Sequence, residues 1–134
     1  MTATDTDPVL IQTALWNFID NAGVSSNIFV SNRPNTSRHD DFVVVDVNGM
    51  VTDKEVDNGT TYSARCVCLV QLFAKDIDQK GTENMAKLSE MYETLIDALP
   101  YNTAPYTFKK KNQVGRRDSL GYHATLVNLD CLIY

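Results

Sequence analysis

Three cysteines and two histidines are the residues with the widest chemical range in this chain. Cys66 and Cys68 are two apart, so on a strand both side chains leave the same face, and with Cys131 and His123 they could in principle supply the four ligands of a tetrahedral zinc ion. Structural zinc sites draw instead on pairs spaced by two or more residues across tight turns. The three cysteines are therefore read as buried, reduced thiols, and no metal is expected. His39-Asp40-Asp41 is the one local cluster able to bind a metal or move a proton, since an imidazole titrates near neutrality and carboxylates can orient it. It lies in a polar connection before a strand, where solvated turn residues are the ordinary content. Neither histidine stands near a Gly-x-Ser-x-Gly or cysteine motif, so no triad can be drawn. Gly59, Gly81, Gly115 and Gly121 are isolated and form no phosphate-binding loop. The expectation is a protein that is not an enzyme, with no catalytic residue and no cofactor.

The charged residues are more informative. The formal charge is -5, yet residues 1 to 60 sum to -6 and residues 61 to 134 to +1. Five of the twelve basic residues, Lys109, Lys110, Lys111, Arg116 and Arg117, fall in one nine-residue stretch without an acid. Flanked by Tyr106, Phe108 and Tyr122, they suit a nucleic acid, with cations on phosphates and bases stacked on rings. A sequence pI near 4.8 opposes this, because the remaining surface repels a polyanion. An acidic neighbouring subunit or a solvated loop fits the balance better.

With 134 residues, 43% hydrophobic and 22% charged, the chain has the material for one core and reads as a single domain whose first six residues are flexible. No apolar run nears the roughly 20 residues of a membrane span, and the acidic start does not resemble a signal peptide, so a soluble, non-exported protein is expected. The sequon Asn58-Gly59-Thr60 then reads as a tight turn.

The elements that position these residues follow from periodicity. Asp7-Pro8 starts a helix, with Ile11, Ala14, Leu15, Phe18 and Ile19 on one face and Gly23 as its stop. A short strand spans Asn27 to Ser31, and a valine-rich one spans Asp41 to Val51, broken at Asn48-Gly49. The charged stretch Thr52 to Asn58 is the arm or tip of a long hairpin, and Thr60 to Lys75 returns as a strand apolar on both faces, hence central. Thr82 caps a second helix with Met85, Leu88, Tyr92, Leu95 and Leu99 on one side, ended by Pro100. A short strand from Tyr106 to Lys110, a basic turn, and a last strand from Gly121 to Tyr134 complete the chain. The order α-β-β-β-α-β-β predicts an α+β fold, a mostly antiparallel or mixed β-sheet with two helices packed on one face.

In this order of features the chain resembles the tail terminator (tail completion) proteins of long-tailed bacteriophages. The likeness rests on the opening helix, Arg33-Pro34 before a valine-rich strand, the charged hairpin, the strand ending Val70-Gln71-Leu72-Phe73-Ala74-Lys75-Asp76, the second amphipathic helix and the final strand after a basic connection. It implies a virion subunit, assembled in the host cytoplasm and located in the tail-neck region. Such a subunit forms a homohexameric ring that caps the tail tube, binds the tube protein on one side and the head connector on the other, and lets genome DNA pass without specific binding. In that family the hairpin, here Asn48 to Thr60, is mobile until assembly. Another head-tail joining (head-closure) protein fits the same plan, and a nucleic-acid-binding α+β module is the reading from a different class. The expected contact residues are Lys54, Glu55 and Asp57 of the hairpin and Lys109, Lys110, Lys111, Arg116 and Arg117. The last strand, as a sheet edge, is expected to pair with a neighbour.

Overall fold

A computed structural model describes residues 3–33, 38–49, 51–56 and 60–134; for 3, 53–56 and 60–62 the backbone alone is described. Helix α1 covers Pro8–Ala22. It forms where Asp7 accepts the Val9 N–H at 2.9 Å, Pro8 loses no bond in the first turn, and Gly23 closes the helix in the left-handed region at φ 73°. Its buried stripe is Ile11, Leu15, Phe18 and Ile19. Helix α2 covers Met85–Asp97 and buries Leu88, Met91 and Leu95. Its cap is Asn84, whose side chain accepts the Lys87 N–H at 3.2 Å; the sequence-predicted cap, Thr82, instead gives its hydroxyl to Asp78 at 2.7 Å. Met85, expected on the core stripe, is 68% exposed.

Among the described residues seven strands make one mixed sheet: β1 (Ile28–Val30), β2 (Asp41–Val47), β3 (Thr52–Val56), β4 (Thr60–Lys75), β5 (Tyr101–Thr103), β6 (Tyr106–Ser119) and β7 (Tyr122–Ile133). Their spatial order is β1-β2-β4-β7-β6-β5, with β3 paired to the first half of β4. Among the described pairings β1 with β2 is parallel and the other five are antiparallel. Both helices lie on one face, where Val43, Val45, Cys66, Cys68, Val70, Leu72, Val127, Leu129, Cys131 and Ile133 meet the helical stripes. Each large side chain fully buried there contributes about 1.5–3 kcal/mol. The α+β class, the mixed sheet and the one-sided helices agree with the sequence reading, as does a central β4 running from Thr60 to Lys75.

Two further expectations need correcting. The last strand is no edge: β7 is bonded to β4 on one side and β6 on the other. The basic segment is no turn either. It lies inside β6, which continues to Ser119 and reverses at Leu120 and Gly121, with φ of 46° and 84°. Its charges mimic a loop because an edge strand wet on both faces needs no alternating apolar residues.

The face away from the helices carries a second, smaller cluster of Phe42, Val44, Phe73, Tyr122 and Ala124. Arg33 closes it, with its guanidinium carbon 5.7, 5.3 and 5.4 Å from the ring centres of Phe42, Phe73 and Tyr122. The same guanidinium donates to Ser119 Oγ at 2.6 Å, and the Tyr122 hydroxyl donates to the His39 carbonyl at 2.8 Å. The β1–β2 connection is thereby fastened to the turn between β6 and β7. At the other end of the chain, Ala3–Thr6 forms a single 3₁₀ turn, held by the Tyr106 hydroxyl donating to the Asp5 carbonyl at 2.8 Å.

Candidate subunit interface

Zinc chemistry fails on distance along the strand. Cys66 and Cys131 are directly opposed, and Cys68 is next on the same face, all in the core. His123 lies eight residues from Cys131 along β7, about 26 Å at the strand rise. Its Nδ1 is 2.6 Å from Asp76 Oδ1. No group of three or more histidine, cysteine, aspartate or glutamate side chains among the described residues is placed to hold a metal ion. Hydrogen bonding with Cys131 and Cys66, reinforced by burial, pushes the Cys68 thiol up from its ordinary value; hydrogen bonding with Cys66 and burial do the same for Cys131. Both are held protonated and unreactive.

The His39-Asp40-Asp41 cluster is dispersed by the fold. His39 packs its ring 6.0 Å from that of Phe29. The Asp40 carbonyl accepts the Lys75 N–H, and Asp41 is bonded to the Ser25 hydroxyl and lies 3.3 Å from Lys87 Nζ. A polar hollow of about 440 Å³ lies beside Asp41 and Asp76, but each of these carboxylates is already matched by a donor from within the chain.

The basic segment is divided between the two faces of the sheet. Cross-strand partners put Lys110 and Arg116 on the helix face, opposite Leu129 and Thr125, and Lys109 and Arg117 on the open face, opposite Asp130 and Ala124. Lys110 sits 5.6 Å over the Tyr92 ring of α2, Arg116 is paired with Glu83, and Arg117 reaches Gln71 at 3.5 Å. Lys111 lies in an irregularity between Lys110 and Val114, where β6 carries two residues more than β7. The charged ends of Lys109 and Lys111 have no partner among the described residues. Of the hairpin residues, Lys54 and Glu55 stand on β3 at its bulge against β4, opposite Ser63 and Thr61, and Asp57 lies outside the described residues. The turn expected at Asn58-Gly59 lies outside them too.

What sequence reading missed is the edges themselves. β5 covers β6 only over Tyr106 to Phe108, so from Lys109 onward no described strand pairs with the outer side of β6. At the opposite edge, β1 has β2 on one side and no described strand on the other. Each edge is bordered by a groove under a helix. One of about 500 Å³ runs between α2 and β6, lined by Met85, Leu88, Tyr92 and Val114 among others; a smaller one of about 280 Å³ is formed by Val9, Gln12, Thr13, Trp16 and Val30. Acids with no ion-pair partner among the described residues border the β1 side: Asp20 is exposed on α1 and Asp46 is half-buried on β2.

No protein-family model and no curated protein matches the sequence. Solved structures share the fold. One chain, whose name describes no activity, aligns with a TM-score of 0.59 at 10% identity, over 100% of this chain and 97% of its own. At that identity the likeness shows the fold alone.

Proposed function

We propose that this chain is a structural subunit that closes into a ring with copies of itself, in the manner of the tail terminators it resembles in sequence pattern, capping a phage tail tube below the head connector. One observation carries the reading. The charge split along the sequence becomes a split across the sheet: β6 carries five bases against one acid, Asp118, while beside the β1 edge Asp20 and Asp46 have no ion-pair partner among the described residues. A ring subunit meets its neighbours through two different patches, and opposite charges on those patches favour head-to-tail contact over self-pairing of either one. The role is mechanical: the tube protein and connector are the further partners, and DNA passes without being read.

Negative-stain microscopy of the purified chain tests this, with particles of six-fold symmetry and a central hole as the expected result. Sedimentation showing only monomer, at high concentration and with tube protein added, overturns it. A nucleic-acid module is the reading from a different class, and the division of the basic residues between two faces weighs against it. That reading predicts binding that falls steeply with salt and disappears when Lys109, Lys110, Lys111, Arg116 and Arg117 become alanine. On the ring reading the same changes weaken self-association instead.

A further inference from the structure

The registers of the four central pairings can be read straight across the sheet. One row runs Val30, Val45, Val70, Val127, Val114, from the β1 edge to the β6 edge, and its two terminal valines are 43% and 45% exposed. The next row runs Phe29, Val44, Gln71, Leu126, Gly115, and the one after it Ile28, Val43, Leu72, Thr125, Arg116. Both edges therefore end at the same height with no described strand beyond them, and the two outer valines lie on the helix face, Val30 beside a mostly apolar groove and Val114 beside one whose lining also carries Glu83, Glu93 and Arg116.

Gly115 adds a second observation. A Cβ built there makes only ordinary contacts, 3.6 and 3.7 Å from Leu126, so the folded chain's own packing does not require glycine. A glycine on a strand leaves a bare patch that a cross-strand aromatic ring covers well. At the other edge of the sheet, on the same row, stands Phe29.

From these features, and resting on the ring reading above, we infer that the ring closes by β-sheet continuation, the outer side of β6 in one copy pairing with the outer side of β1 in the next, with Val114 opposite the neighbour's Val30 and Gly115 opposite its Phe29. The strand directions agree with this. β6 runs opposite to β1 within one chain, and rotation about an axis along the strands preserves direction, so the joint is an antiparallel pair. Charge agrees in register as well. One row beyond the valines, β1 has ended and Asp46 of β2 becomes the edge, while on β6 the same row holds the irregularity carrying Lys111. The occupant of each edge is thus a second copy of this chain, acid to base and valine to valine.

The test is a cysteine pair. Val30→Cys and Val114→Cys in one chain, treated with a mild oxidant, are expected to give a ladder of covalent multimers on a non-reducing gel. Either substitution alone gives none, because position 30 meets 114 and never itself. Native Cys66, Cys68 and Cys131 are 0–2% exposed and contribute no cross-links. Gly115→Val is the companion variant: unfolding is expected to stay as in the native chain, while the dissociation constant of self-association rises at least tenfold. If the native chain assembles but the double cysteine variant yields no ladder, the edge pairing is wrong and the ring reading stands. A cross-linked dimer from a single variant also overturns the head-to-tail joint. A native chain that is monomeric throughout removes both.

Discussion

Replacing Arg33 measures how much of this fold depends on a single guanidinium. It lies within 6 Å of three ring centres and donates to Ser119 Oγ at 2.6 Å. One cation does not gain three independent ring interactions, so the rings together are assigned about 1–2 kcal/mol, in the range for a partly desolvated site. The hydrogen bond adds about 1 kcal/mol. Arg33→Ala is therefore expected to lower the unfolding free energy by about 2–3 kcal/mol, and for a chain of this size each kcal/mol moves the melting temperature by roughly 3–5 °C. Urea titration followed by tryptophan fluorescence gives the number, since Trp16 is the single reporter. Arg33→Met separates the parts, because it keeps an apolar stem over the rings and removes both charge and donor. The reasoning predicts Met between native and Ala. It is refuted if Ala lies within about 0.5 kcal/mol of native, or if Met matches native.

Asn84→Ala removes the α2 cap and is expected to cost about 1 kcal/mol by the same titration. Leu95→Ala empties a fully buried site beneath α2 and is expected to cost about 2–5 kcal/mol. Burial, with nearby Asp5, raises the Tyr106 hydroxyl above its ordinary value. Its contribution is therefore complete below the unfolded tyrosine value near 10 and is lost as pH rises toward the folded one. Thermal melts between pH 8 and 11 should show native stability falling faster than that of Tyr106→Phe, which is expected to be about 1 kcal/mol weaker at neutral pH through the lost bond to Asp5. The three thiols should resist a thiol-specific colorimetric reagent in the native state and react together in urea, with a rate set by unfolding.

Legibility followed the strength of the local signal. Asp7-Pro8 and Gly23 bracket α1 because capping chemistry is read from adjacent residues, and Thr60 to Lys75 is apolar on both faces because a central strand is covered twice. The tail of β6 gave no such signal: Lys109 to Arg117 is solvated on both sides, and solvated strand and loop have the same composition. β7 reads as an end strand because it is last in the chain, whereas strand order is fixed by pairings that no local pattern records. The expected contact residues are legible as charges but not as a site, since what Lys110 meets depends on which face it leaves, and in the fold that is Tyr92. Val30 and Val114 were invisible as a pair because they are linked only through four registers.

The central place of β7 also governs how the chain is made. β4 and β6 both precede in sequence the strand that joins them, so the sheet cannot close until Tyr122–Ile133 pairs between them. Closing it requires pairings far apart in sequence, as with Cys66 and Cys131, 65 residues apart. Before that step the inner edges of β4 and β6 are unmatched and open to pairing with other chains. Yield in a host should thus depend on temperature and expression rate more steeply than the stability of the finished protein does.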